Sequence, residues 1–162
     1  MIFSPHHINE LLRGHCVYSN SDHAIEFHPD DSRQLSRLEE GGVLWLSIDT
    51  LQISVSLERR SLIVVEGYCP SEGWIARRLP MPTAQPSQIV VEFGQKVETG
   101  LTYRFRDGTR WQRYYDSSNR WLYIGPEDTV GTGVCYEFAE QTFAVLRENQ
   151  LCGLWLRPEF AP

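Results

Sequence analysis

The stretch Leu51-Gln52-Ile53-Ser54-Val55-Ser56-Leu57 decides the fold class, because apolar and polar residues alternate through it without a break. Side chains of a β-strand point alternately to opposite faces of the sheet, so the pattern predicts a strand with one buried and one solvated face. Similar short runs, bounded by turn-forming residues, occur both before and after it. The chain is therefore predicted to consist mainly of short antiparallel strands joined by turns.

Working outward from this stretch, we count about ten strands at intervals of roughly 8–12 residues, the spacing of β-sandwiches and barrels. An acidic and polar stretch at 30–40 is predicted to contain a helical turn, since Leu35 and Leu38 are three positions apart. Near the C-terminus, residues 138–148 fit either a strand or one face of a helix, and the sequence leaves both open.

The N-terminal residues carry the signals of a short helix. Ser4 can cap it, Pro5 suits its first position, and Gly14 can close its C-terminal end. Between them lies one apolar stripe, formed by Ile8, Leu11 and Leu12. We therefore predict an N-terminal helix that packs on the sheet.

Sequential strand connections favour an up-and-down meander, and closing a sheet of this size into a barrel removes its exposed edges. We predict a single all-β domain over residues 1–162, with the barrel as the first choice and a β-sandwich as the alternative. The layout is similar to that of the lipocalin and fatty-acid-binding barrels. The similarity is one of architecture, because the early Gly-x-Trp of lipocalins is absent and the first tryptophan is Trp45.

Charge and cysteine usage narrow the range of partners. A net charge of −6 disfavours nucleic acid and anionic membrane surfaces as binding partners.

No apolar run is long enough to span a bilayer, and residues 1–7 lack a secretory pattern, so we predict a cytoplasmic protein. The four cysteines form no C-x-x-C pair, and the five histidines have no ligand-like spacing. We therefore predict reduced thiols, no metal site and no cofactor.

The most unusual segment is 101–124, which contains five arginines and seven aromatic residues. Asp107-Gly108 predicts a type I′ hairpin between 101–106 and 110–115. That register sets Arg104 opposite Trp111, in position for a cation–π pair. One face of the hairpin would carry a candidate ligand-binding set, which comprises Arg104, Arg106, Trp111, Arg113 and Tyr115.

This face has two interpretations. Arginine can bind a carboxylate or phosphate through paired hydrogen bonds while aromatic rings stack on a planar ligand. Alternatively, the face is structural, and the arginine stems cover aromatic surface. The loop 68–74 also has two interpretations, since Cys69 is either a reactive thiol or a half-buried thiol in an ordinary turn.

The function predicted first is a small binding protein, with a carrier or accessory role, that holds a hydrophobic or aromatic anion inside a barrel. It requires an internal cavity with an arginine pointing into it. The alternative is a protein-interaction module, such as an accessory, chaperone-like or inhibitor protein, that uses an exposed arginine and aromatic patch. An enzyme using Cys69 or a histidine ranks below both, because the sequence contains no catalytic motif.

Overall fold

Strands make up 53% of the computed structural model, so the all-β prediction is confirmed. The structure describes residues 1–161, except for the side chain of Arg110. None of the helices in this range is both long and apolar enough to cross a bilayer.

The elements follow one another along the chain with short connections. The strands are β1 (Ile2–His7), β2 (Gly14–Ser19), β3 (Ala24–Pro29), β4 (Val43–Ile48), β5 (Leu51–Ser56), β6 (Leu62–Tyr68), β7 (Ile75–Ala76), β8 (Ala84–Glu92), β9 (Thr102–Arg104), β10 (Gln112–Asp116), β11 (Trp121–Gly125), β12 (Val134–Ala139), β13 (Thr142–Arg147), β14 (Gln150–Leu156) and β15 (Glu159–Ala161). The α-helix, α1 (Ser32–Leu38), lies between β3 and β4. Short 3₁₀ helices form at Ser71–Gly73, Arg106–Arg110 and Glu127–Thr129.

The strands form two sheets. One has eight strands in the order β1-β8-β12-β13-β14-β11-β10-β7, and the other has seven in the order β15-β2-β3-β6-β5-β4-β9. Both are mixed, because β7/β10, β8/β12, β4/β9 and β2/β15 pair in parallel. Within residues 1–161 the sheets do not close into a barrel. The up-and-down barrel is therefore corrected to a two-sheet arrangement, which is closer to the sandwich alternative.

The main core contains side chains from both sheets, for example Ile53 of β5 and Leu122 of β11. A second cluster includes Trp121, Tyr123 and Trp155. Because Trp121 and Leu122 are neighbours on one strand, the two clusters lie on opposite faces of the eight-stranded sheet. Both faces of this sheet are therefore covered.

The strand predicted at 51–57 is β5, which ends at Ser56. Its polar face is largely buried, whereas the alternation predicted a solvated face. Ser54 and Ser56 are both buried. The pairing with β6 has an irregularity between Ile53 and Val55, and the Ser54 hydroxyl accepts a hydrogen bond there from the Val64 amide at 3.2 Å. Serine side chains can satisfy backbone groups inside the core, which is why the alternation indicated a strand but not its exposure.

The predicted N-terminal helix is wrong. Residues 2–7 form β1, which pairs antiparallel with β8 and sets Pro5 opposite Ile89. Phe3 is fully buried, and this burial outweighs the local helix signals. Proline is tolerated because β1 is at the edge of its sheet. The helical turn predicted in the acidic stretch is α1. Asp31 caps the N-terminus of this helix, because its carboxylate accepts a hydrogen bond from the Arg33 amide at 2.9 Å.

Strand pairing settles the region 138–148. β12 ends at Ala139, the chain turns at Gln141 with a φ of 53°, and β13 begins at Thr142. Of the two alternatives for this region, the strand is therefore the one observed.

The predicted hairpin around Asp107-Gly108 is also wrong. β9 pairs with β4 in the seven-stranded sheet, whereas β10 pairs with β11 in the eight-stranded sheet, so the chain crosses between sheets here. Gly108 does not have the positive φ of a type I′ turn. A Cβ there would lie 2.8 Å from Cγ2 of Ile48, so the glycine permits close packing.

Asp116 holds the connection before β8 against the end of β10. Its carboxylate accepts hydrogen bonds from the Leu79 amide at 2.8 Å, the Ser118 amide at 2.9 Å and the Ser118 hydroxyl at 2.5 Å. The hydroxyl of Ser118, followed by the Leu79 amide, lowers the pKa of Asp116 from 3.8 to about 2. The ionised form therefore stabilises the fold above the ordinary pKa, and this stabilisation is lost as the pH falls through about 2.

We expect Asp116→Asn to unfold at a lower urea concentration than the wild type near neutral pH. Because the wild-type advantage needs the charged carboxylate, the gap between the two urea midpoints should shrink between about pH 5 and about pH 2. Unfolding curves followed by circular dichroism measure it, and Asp128→Asn, at an exposed site, is the control. A gap that stays constant over this range would contradict the assignment.

Candidate functional site

The five residues predicted to share one face are divided among three places. Arg104 and Arg106 are exposed on one side of the crossing segment. Trp111 is buried in the main core, where it packs edge-on against Phe105 with ring centroids 5.6 Å apart. The 3₁₀ helix Arg106–Arg110 interrupts the strand alternation on which the shared face depended. Arg113 and Tyr115 lie beyond it on β10, and the side chain of Arg110 is outside the described part of the chain.

The predicted cation–π pair between Arg104 and Trp111 is not formed, because β9 and β10 belong to different sheets. A contact of this type is formed instead by Arg77, whose guanidinium carbon lies 5.4 Å from the ring centroid of Tyr114. Arg104 is thereby left without an intramolecular aromatic partner of this type among the described residues.

Arg104 and Arg106 line an open groove of about 480 Å³, here called the Arg104 groove. It lies where the edge strand β9 of one sheet meets the end of β8 and the start of β14 in the other. Its lining residues are Met1, Phe93, Gln95, Tyr103, Arg104, Phe105, Arg106, Asp107 and Gln150. Its volume falls within the roughly 300–1,000 Å³ of ordinary small-molecule sites.

Three aromatic side chains line the apolar part of this groove. Phe93 and Phe105 are buried, and Tyr103 is half-buried. The rings of Phe93 and Tyr103 are tilted against each other with centroids 5.9 Å apart. The Tyr103 hydroxyl is fixed because it accepts the Glu98 amide at 2.9 Å. Tyr103, the most exposed of the three rings, is therefore held in place before any ligand arrives.

The two arginines of the groove are not engaged with acidic side chains. Other arginines form ion pairs, such as Arg13 with Glu140 at 3.4 Å and Arg77 with Glu127 at 3.2 Å. Among the residues with described side chains, neither Arg104 nor Arg106 has an acidic partner within the 4.0 Å that defines an ion pair. Two guanidinium groups beside an aromatic surface can bind the carboxylate and the ring of a planar acid together.

Arg113 lies near Cys69, Tyr115 packs on Trp74, and neither residue lines the Arg104 groove. Arg113 donates through Nη2 to Asp49 at 3.3 Å and to Thr50 at 3.2 Å. Tyr115 packs against Trp74 and Phe160, with centroids 5.2 Å and 5.8 Å apart. Both side chains are thus engaged in contacts within the protein.

Cys69, predicted as a candidate reactive thiol, is fully buried. Its amide donates to the His23 carbonyl at 2.7 Å, which fixes the loop. Burial raises the pKa of the thiol, and the nearby Arg113 guanidinium and Trp74 indole offset only part of this effect. A reactive cysteine needs an accessible sulfur and a lowered pKa, and Cys69 has neither.

We expect Cys16 and Cys69 to resist iodoacetamide in the native protein. Both are fully shielded from solvent, and burial raises the pKa of Cys16 to about 12. Cys135 and Cys152 are partly exposed and should react first, although burial raises their pKa as well. Peptide mass spectrometry after labelling measures each site, with urea-unfolded protein as the control. Rapid native labelling of Cys69 would support the reactive thiol instead.

Sequence reasoning missed Phe93 and the other parts of the groove outside 101–107. Phe93 directly follows β8, and its local pattern is that of any core residue. It meets Tyr103 because the two sheets pack against each other here, and no short motif encodes that packing. In the described chain, no three His, Cys, Asp or Glu side chains are grouped in a way that could hold a metal ion.

Comparisons with known proteins are the remaining source of functional information. No protein-family model, curated protein or solved structure was found to match the chain. Its function is therefore inferred from its own residues.

Proposed function

We propose that this protein binds a small planar acid in the Arg104 groove, as a binding protein with a carrier or accessory role. The observation that carries the proposal is the pairing of Arg104 and Arg106, which have no acidic partner among the described side chains, with an aromatic surface. This keeps the ligand class predicted from the sequence, an aromatic or hydrophobic anion. The ligand's place changes from the interior of a barrel to a groove between the edge strand β9 of one sheet and the ends of β8 and β14 in the other.

The energetics favour modest affinity. A hydrogen bond to a charged group contributes about 1.5–3 kcal/mol, and an aromatic pair adds about 0.5–1.5 kcal/mol beyond its buried area. Both arginines are exposed, so solvent and salt reduce their contribution. Because the ligand also loses translational and rotational freedom on binding, these terms predict weak binding.

Charge selectivity follows from the same groove. Asp107 is the acidic residue that lines it, next to two arginines. A ligand carboxylate placed toward the guanidinium groups is attracted, whereas a neutral analogue of the same shape keeps only the ring contacts. We therefore propose that the acid group provides specificity and the aromatic surface provides contact area.

We expect Arg104→Ala and Arg106→Ala each to weaken binding of 1-naphthoate by about tenfold, the equivalent of one modest charge-assisted hydrogen bond. Isothermal titration calorimetry measures the affinity. Arg33→Ala, an exposed arginine on α1 outside the groove, is the matched control and should bind like the wild type. The neutral amide of the same ring should also bind about tenfold more weakly to the wild type. Equal affinities for all three variants and the wild type would refute the proposal.

Protein interaction is the second candidate function, favoured by apolar side chains exposed at sheet edges. Ile75 on β7 and Phe160 on β15 are 43% and 45% exposed, and both strands are at the edge of their sheet. Edge strands with exposed apolar residues can pair with or dock another chain. Analytical sedimentation of the wild type and of Phe160→Ser tests this candidate function. If the edge at β15 mediates self-association, the variant should self-associate more weakly than the wild type.

A further inference from the structure

A second groove lies beside α1, and it is assembled from parts that are distant in sequence. It has a volume of about 470 Å³ and is here called the helix groove. Five stretches of chain line it: residues 7–12, one side of α1, the turn 59–62, Gln88 on β8 and Phe138 on β12. Both sheets and the helix therefore contribute to the groove.

The apolar part of the helix groove is mainly aliphatic. Leu12, Leu62 and Phe138 are buried beneath it, at 3%, 5% and 5% exposure. Ile8 and Leu38 are half-buried and complete the apolar lining. The Arg104 groove has three aromatic rings instead, so the two grooves suit different apolar bodies. An aliphatic chain fits the helix groove better than a planar ring.

The rim of the helix groove is positively charged in a chain of net charge −6. Arg37 and Arg59 line it, and among the described side chains neither is within ion-pair distance of an acidic residue. Glu10 is the acidic residue in the lining. The rim therefore complements an anionic head group.

The amide groups of the helix groove are largely engaged within the protein. Gln34 donates to the Leu11 carbonyl at 2.9 Å, and Gln88 donates to the Ser61 hydroxyl at 3.1 Å. These bonds fix the walls, and Arg37 and Arg59 supply positively charged donors on the rim. Specificity at the head group should therefore come from charge.

We propose that the helix groove is a second binding site, and that it takes an aliphatic carboxylate. The hydrocarbon chain lies over Leu12, Leu62 and Phe138, and the carboxylate pairs with Arg37 and Arg59. The site is independent of the Arg104 groove, since the two share no lining residue.

Titration of the wild-type 162-residue protein with decanoate tests this site. We expect saturable binding that Arg37→Ala and Arg59→Ala each weaken by about tenfold, whereas Arg33→Ala on the same helix binds like the wild type. Decanol should bind more weakly than decanoate, because it lacks the charge. Circular dichroism of each variant confirms that it is folded.

The two grooves give separable results. Arg104→Ala should leave decanoate binding unchanged, and Arg37→Ala should leave 1-naphthoate binding unchanged, so one proposal can fail while the other stands. No decanoate binding to the folded wild type would overturn the helix-groove site. So would affinity that neither Arg37→Ala nor Arg59→Ala reduces, or binding that is lost in Arg104→Ala.

Discussion

Trp155→Ala is expected to lower the free energy of unfolding by about 3–5 kcal/mol, among the largest losses for any single change in this chain. Trp155 is 2% exposed and packs in the second cluster, with its ring centroid 4.8 Å from that of Tyr123 and 6.2 Å from that of Trp121. Truncation leaves a cavity in a region closed by the connection around Leu79. The surrounding rings are rigid and can fill little of it.

Urea unfolding followed by circular dichroism measures this loss. Trp45→Ala is the matched control, because Trp45 is half-buried on β4 and its truncation removes less buried surface. Trp155→Phe should cost less than Trp155→Ala, since most of the ring remains. A loss for Trp155→Ala no larger than that for Trp45→Ala would mean that the outer face of the eight-stranded sheet is not packed as described.

Gly153→Ala is expected to destabilise the protein by about 1–3 kcal/mol, although only one methyl group is added. A Cβ at this position would lie 2.8 Å from Cε2 and Cζ of Tyr123. Tyr123 cannot easily move, because its hydroxyl bonds to Thr129 and its ring packs on Trp155. Gly153 does not have a positive φ, so the expected loss is steric and owes nothing to the backbone.

A double-mutant cycle isolates this steric cause. Tyr123→Leu removes the ring from the path of the new methyl group, so adding Gly153→Ala to that variant should cost much less than adding it to the wild type. Urea unfolding curves of the four proteins give their free energies of unfolding, and from these the coupling free energy between the two positions. Additive losses, within about 0.3–0.5 kcal/mol, would contradict the assigned contact.

Local patterns were sufficient to predict the fold class. The alternation in 51–57 identified β5, and two leucines three apart located α1. Pairing between distant strands was not predictable in this way. The parallel pairs β8/β12 and β4/β9 join segments with no shared local pattern, and both pairs belong to sheets that do not close into a barrel within residues 1–161. The N-terminal helix failed for a related reason, because β8 provides β1 with a partner that local capping signals cannot reveal.

The candidate site was predictable only in part. The density of arginine and aromatic residues in 101–124 drew attention to Arg104 and Arg106, whose side chains are exposed and line a groove. Trp111 was misplaced because the Asp-Gly pair indicated a hairpin, whereas the chain forms a 3₁₀ helix and crosses to the other sheet. Residues of the helix groove come from five separate stretches, and no single stretch carries a signal for it.

We propose that the Arg104 groove binds a planar acid, and ¹H–¹⁵N NMR titration of the wild type with 1-naphthoate measures this binding residue by residue. We expect saturable chemical-shift changes concentrated at the amides of Phe93, Tyr103, Arg104 and Arg106, which are absent in the folded double variant Arg104→Ala/Arg106→Ala. Shift changes that cluster elsewhere, or that persist unchanged in the double variant, would contradict it.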